Sequence, residues 1–221
     1  MIDFKTLESI IINNEKFILT THVNPDADAI GSEIALYEIL NDLGKEVKII
    51  NHSDTPYNLK FLDKNNVIEK FNTGFHSKLF DKDDVLVALD FNRSDRMVSM
   101  REIFVKSKKL KLCIDHHQDQ EDFVDHQFID TAYSATGHII YDFIKVTNIV
   151  KLNKRIAYPI YAAIMTDTGS FRFEKTTAEL HKIASELLSF DITPGEVYDN
   201  IYDQSKFSKV TTWPCSGINY T

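Results

Sequence analysis

His22, Asp26 and Asp28 fall within seven consecutive positions of the stretch Thr20–Ser32, Thr-Thr-His-Val-Asn-Pro-Asp-Ala-Asp-Ala-Ile-Gly-Ser. One imidazole and two carboxylates so close together are the composition of a metal site. Three further places carry the same residue types. Asp90 follows the apolar run Val85–Leu89, Asp115-His116-His117 follows Leu110–Ile114, and Asp167 lies in the segment Met165–Phe173, Met-Thr-Asp-Thr-Gly-Ser-Phe-Arg-Phe. Taken singly, each has a plainer reading. Asp26 and Asp28 suit a helix N-terminus, where they complement the macrodipole. His22 alone suits a satisfied core or surface histidine, and an Asp directly after a strand suits a turn. The adjacent histidines resist such a reading, because burying both at a strand end without a ligand or partner is costly. His52, His76, His126, His138 and His181 fit no such pattern and are expected to be structural or solvent-facing.

The flanking residues say what must position these groups. Phe17–Leu19 reads as a buried strand running on to Thr21, and Ile34, Leu36, Ile39, Leu40 and Leu43 recur at helical spacing. Thr20–Ser32 is therefore a strand-to-helix turn, the place where an open α/β sheet puts its ligands. Gly44 suits a left-handed helix stop, Val47–Ile50 a second strand, and Val67-Ile68 a weak strand within the irregular stretch 51–80. Val85–Leu89 and Leu110–Ile114 read as buried strands, and Phe4–Asn13 as a helix covering one face. After Tyr133 the pattern becomes helical: Ser134–Val146, Lys154–Met165, Thr177–Phe190 and Gly195–Gln204. Alternating strands and helices predict an α/β fold, a doubly wound, mostly parallel sheet of about five strands flanked by helices and followed by a helical segment. In such a sheet the runs ending at Thr21, Leu89 and Ile114 finish on one edge, so the groups after them can converge. Asp167, expected just after a helix over 156–164, can reach the same cleft through a tight turn.

Composition narrows the function classes. The chain has 221 residues, enough for one domain or one and part of a second, with a 43% hydrophobic fraction suited to a packed core. No apolar run approaches the roughly 18 residues needed to span a bilayer. Met1–Lys5 lacks a secretory pattern, so a cytoplasmic location is expected. Cys113 and Cys215 are the only cysteines, too few and too far apart for a disulfide framework or a zinc knuckle. A formal net charge of -8 argues against wrapping a long nucleic acid, but leaves room for a small anion held through metal ions.

Together, His22-x-x-x-Asp26-x-Asp28 with Gly31-Ser32, Asp90, Asp115-His116-His117 and Asp167-Thr168-Gly169 resemble the four motifs of the DHH phosphoesterase superfamily. The wording of the first and last motifs is most similar to its bacterial bifunctional oligoribonuclease and 3'-phosphoadenosine 5'-phosphate phosphatase branch, over roughly residues 1 to 208. The resemblance implies two divalent metals, one held by His22, Asp26 and Asp90, the other by Asp28, Asp90, His116 and Asp167, with Asp90 bridging. Carboxylates and imidazoles without thiolates favour Mn2+, with Mg2+ the alternative. Asp90, His117 and Asp115 are the expected catalytic residues: His117 would contact the scissile phosphate or leaving oxygen, and Asp115 would orient the imidazoles. Arg96, Arg172 and Ser32 are the expected substrate contacts, Arg93 being a weaker candidate.

The resemblance also sets domain expectations: a metal-binding phosphoesterase domain over 1–190, the start of an interdomain connection over 191–208, and an atypical tail over 209–221. Members of this branch continue with a glycine-rich substrate-binding lobe, which Val210–Thr221 does not resemble. The expectation is a truncated or frame-shifted product, the alternative a short variant whose second lobe comes from a partner chain. An exposed face left by a missing lobe would favour self-association. The expected partners are short RNA or a small nucleotide or phosphate substrate, with no membrane. Three functions stay open: hydrolysis of short oligoribonucleotides and 3'-phosphoadenosine 5'-phosphate; hydrolysis of pyrophosphate, polyphosphate or cyclic dinucleotides; and metal binding without turnover.

Overall fold

The computed structural model describes residues 1–203. The chain runs α1 (Phe4–Asn13), β1 (Lys16–Thr21), α2 (Ala27–Asp42), β2 (Glu46–Asn51), β3 (Ile68–Lys70), α3 (Thr73–His76), β4 (Val85–Leu89), α4 (Arg101–Lys106), β5 (Leu110–Asp115), β6 (His126–Ile129), α5 (Thr136–Thr147), α6 (Lys154–Asp167), α7 (Ala178–Leu188) and α8 (Pro194–Tyr202). The strands form one sheet in the order β3-β2-β1-β4-β5-β6, and every pairing is parallel. The sixth strand, β6, was not expected. It is short, half polar and at the edge, so it lacks the continuous apolar run that marks a strand buried on both faces.

Side-chain alternation divides the interior into two layers. On β4, Val85, Val87 and Leu89 join the core built with α1, α2, α5 and α6, whereas Leu86 and Ala88 join a smaller one with Phe80, Met97 and Phe104. On β1, Phe17 and Leu19 face the first layer and Ile18 the second. In the larger layer, Val197 and Ile201 of α8 are buried too, and Asn58 donates to the Ile201 carbonyl at 2.8 Å.

Two helix boundaries differ from the sequence reading, and both matter for the site. Helix α2 begins at Ala27, not near Glu33, because Asp26 caps it: its Oδ1 accepts from the amides of Asp28 and Ala29, each at 3.0 Å. Asp28 and Ser32 are thus helical residues one turn apart. Helix α6 ends at Asp167, so this carboxylate belongs to the last helical turn and not to the loop after it. Gly44 has φ +75, the left-handed geometry expected of it. Among the described residues no helix is long and apolar enough to cross a membrane. The tail expected over 209–221, the end of the expected connection from residue 204 and Cys215 lie outside the described residues.

Candidate metal centre

The site grows out of strand register. Thr21 on β1 pairs with Leu89 on β4, and Leu89 with Ile114 on β5. The next residues, His22, Asp90 and Asp115, therefore stand side by side on the C-terminal edge. β1 and β4 are the adjacent central strands from which the chain winds outward in opposite directions, the crevice where doubly wound sheets bind ligands.

Asp28, Asp90 and His116 are buried at 0%, 2% and 7% exposure, with His22 at 6%. His116 Nε2 is 3.1 Å from Asp167 Oδ2, 3.5 Å from Asp28 Oδ2 and 3.6 Å from Asp90 Oδ1. His22 Nε2 is 3.5 Å from Asp90 Oδ2 and 3.9 Å from Asp26 Oδ2. His22 Nδ1 donates to the Val23 carbonyl at 2.9 Å; a carbonyl can only accept, so Nε2 keeps its lone pair for the cluster. The structure thus groups His22, Asp26 and Asp90 on one side and Asp28, His116 and Asp167 on the other, with a further combination of Asp90, His116 and His117.

Helix α5 supplies donors that sequence reading missed. The amides of Thr136 and Gly137 donate to Asp28 at 2.7 and 2.9 Å, and the Thr136 hydroxyl donates to Asp90 Oδ1 at 2.8 Å. A Cβ on Gly137 would come within 2.6 Å of Ala163 Cβ, so only glycine lets α5 approach α6 this closely. The only sequence signal was a run of small residues, Ser134–Gly137, opening a helix. Asn92 was also missed; its side chain donates to the carbonyls of His117 and Gln118, fixing the third motif beside the second.

Burial sets the electrostatics. It pushes the Asp28 carboxyl up to about 6, with the Asp167 charge adding to the rise. Asp90 is raised well above the usual carboxylate range by burial and then by Asp28. Desolvated carboxylates crowded in this way call for a positive charge between them. The two ring nitrogens of His116 are buried without a hydrogen-bond partner; a cation held by Nε2 together with the carboxylates around it would satisfy one of them. Oxygen and imidazole donors fit divalent cations such as Mn2+ or Mg2+.

The remaining expected residues separate. Asp115, fully buried, accepts from His117 Nδ1 at 2.7 Å; this bond raises the pKa of His117 and fixes the ring, leaving Nε2 to face outward chemistry. Arg96 Nη2 is 3.3 Å from His22 Nδ1, on the His22 side. Arg93, exposed, pairs with Asp95 at 3.5 Å. Arg172 shares a cavity with His116 and Asp167. Ser32 is a correction: expected to contact substrate, it is not open to one. It is fully buried one turn into the helix, where its hydroxyl donates to Asp28 Oδ1 at 3.0 Å.

Residues 16–165 match the model of the DHH family, N-terminal domain, over more than half of the chain. This chain belongs to the DHH family. It is 35% identical over 187 residues to a Thermus thermophilus protein named bifunctional oligoribonuclease and PAP phosphatase NrnA, covering 83% of this chain and 52% of that relative. The structure of a Bacteroides fragilis exopolyphosphatase-related protein superimposes with a TM-score of 0.88 at 31% identity, over 94% of this chain and 62% of that one. A Methanococcus jannaschii putative family II inorganic pyrophosphatase shares the fold at a TM-score of 0.62 and 18% identity, over 83% and 60% of the two chains. The chain thus spans about half to three-fifths of the length of these proteins.

Proposed function

We propose that this DHH family member is a two-metal phosphoesterase acting on short oligoribonucleotides and 3'-phosphoadenosine 5'-phosphate. The observation that carries the reading is the group of buried Asp28 and Asp90 and half-buried Asp167 around a His116 imidazole with no hydrogen-bond partner. The name of the T. thermophilus relative supports the substrate class.

His22, Asp26 and Asp90 would hold one divalent ion, and Asp28, Asp90, His116 and Asp167 the other, with Asp90 between them. Bound there, the ions supply Lewis acidity and a water of lowered pKa. The protein's own groups do the rest. The α5 amides and Ser32 hold Asp28 so that the carboxylate does not reorganise when charge arrives. Asp115 keeps His117 Nδ1 protonated and favours the imidazolium, so that the ring can stabilise a phosphate oxygen or give a proton to the leaving one. Arg96 and Arg172, at opposite ends of the cluster, are the proposed phosphate contacts. A second reading, hydrolysis of polyphosphate or pyrophosphate, is favoured by the likeness to the B. fragilis exopolyphosphatase-related structure.

Mn2+-dependent hydrolysis of a diribonucleotide, 3'-phosphoadenosine 5'-phosphate and pyrophosphate by the 221-residue chain separates the readings. Cleavage of the first two over the third is expected, and Asp90→Ala is expected to lower it by more than about a hundredfold. Turnover that survives Asp90→Ala would sink the two-metal mechanism, and preference for pyrophosphate the substrate assignment.

A further inference from the structure

A cavity of about 550 Å³ adjoins the metal centre, shared by its His116 and Asp167 with Arg172, Phe173, Glu174 and Lys175. Phe173 leaves 57% of its surface exposed there. A single exposed aromatic ordinarily needs no explanation. This one is held in place by unusual backbone. Gly169, Ser170 and Phe171 are consecutive left-handed residues, with φ of +57, +59 and +63. Left-handed backbone is a genuine outlier for a residue as bulky as phenylalanine, and it persists only where the surroundings over-determine it. Phe171 turns inward against Tyr161 and His181, while the amides of Arg172 and Phe173 both donate to the Thr168 carbonyl, at 2.9 and 3.0 Å. The Phe173 ring then lies over the backbone of Gly169, so close that a Cβ there would be 2.4 to 2.7 Å from its carbons.

A guanidinium distinguishes this flank from the other, although Asp167 and Glu174 line it as well. Arg172 donates to the Gly169 carbonyl through Nε at 2.7 Å, and among the described residues its terminal nitrogens have no hydrogen-bond partner and no carboxylate pairs with it. Lys175 reaches the Tyr133 carbonyl at the same rim. The cavity lined by His117 instead contains Asp119 and Asp130 and no phenylalanine, tyrosine or tryptophan ring, and its N-terminal ammonium is already 3.6 Å from Asp130. A flat apolar ring next to a guanidinium matches a base and a phosphate on one nucleoside, whereas pyrophosphate would use only the latter.

We infer that Phe173 is a nucleobase platform: it stacks the base of the nucleotide whose ester is cleaved, while Arg172 meets that nucleotide's second phosphate. The inference rests on the nucleotide reading above and deepens it. It is tested with the Mn2+-loaded full chain on 3'-phosphoadenosine 5'-phosphate and on the same bisphosphate built on base-free 1-deoxyribose. Phe173→Leu, which keeps an apolar cover over Gly169, is expected to lower kcat/KM for the nucleotide roughly tenfold or more, through KM, and several-fold less for the base-free compound. Phe173→Tyr is expected to keep the discrimination. Mn2+ titration followed by Tm reports on Asp167 and is expected to be the same in both variants. Equal losses on the two substrates, or no loss on either, would overturn the platform while leaving the phosphoesterase assignment standing. A parent protein that does not discriminate between the two bisphosphates would overturn the nucleotide reading itself, and the platform with it.

Discussion

Asp90 concentrates the site's conflict in one residue. It is buried, sits at φ +65, accepts from Thr136, and has its carboxyl raised by burial and by the neighbouring acids. Asparagine tolerates left-handed backbone and can accept the same Thr136 bond, so Asp90→Asn removes charge with little change of shape. Without metal the variant should unfold at a higher temperature than the parent at pH 8, because a buried like charge is gone. With Mn2+ the order should reverse. A variant that retains the parent's Mn2+-induced rise in Tm would show that Asp90 is not a shared ligand.

At the scale of elements, strand ends and helix starts do the positioning. The C-terminal edge is braced from β2, where Asn51 accepts from the Thr21 amide at 3.0 Å and donates to Glu33 on α2 at 2.8 Å. Glu33 is fully buried, and burial raises its carboxyl from the ordinary 4.5 to about 8. Between these values the native protein holds a proton that the unfolded chain releases. This contribution to stability is complete below about pH 4.5 and is lost as pH rises through about 8. Glu33→Gln mimics the protonated acid and removes that slope. In thermal unfolding without metal the variant should match the parent near pH 5 and exceed it at pH 9; the other titrating groups cancel in the difference. A difference in Tm that is equal at the two pH values would refute a protonated Glu33.

For the whole molecule, the candidate ligands come from β1, α2, β4, β5 and α6, so cations bound among them would tie both central strands to the helical layer. A ligand that binds only the native state at about 100 times its Kd adds roughly 2.7 kcal/mol. For a chain of this size that corresponds to a rise in Tm of roughly 5 to 10 °C. Saturating Mn2+ should produce that rise and chelation should reverse it. A Tm indifferent to both would exclude a preformed site on the strand edge.

The residues that could carry chemistry were legible in the sequence because each follows a recognisable punctuation. His22, Asp90 and Asp115–His117 come directly after apolar strand runs, and Asp26–Ser32 opens a helix. Parallel register does the rest, since strands wound the same way must end on one edge. Ser32 could not be placed so, because whether a hydroxyl faces solvent or a buried acid depends on which turn the helix starts at. Nor could Thr136 and Gly137, whose amides reach Asp28 across more than a hundred residues of chain. The edge strand β6 carried too little apolar pattern, and the exposure of Phe173 beside Asp167 arises from a left-handed turn that no periodicity encodes. Local spacing determined which residues were candidates for the metal centre; close packing of α5 and α6 against the sheet decided which backbone groups support it, because such contacts exist only once distant segments meet.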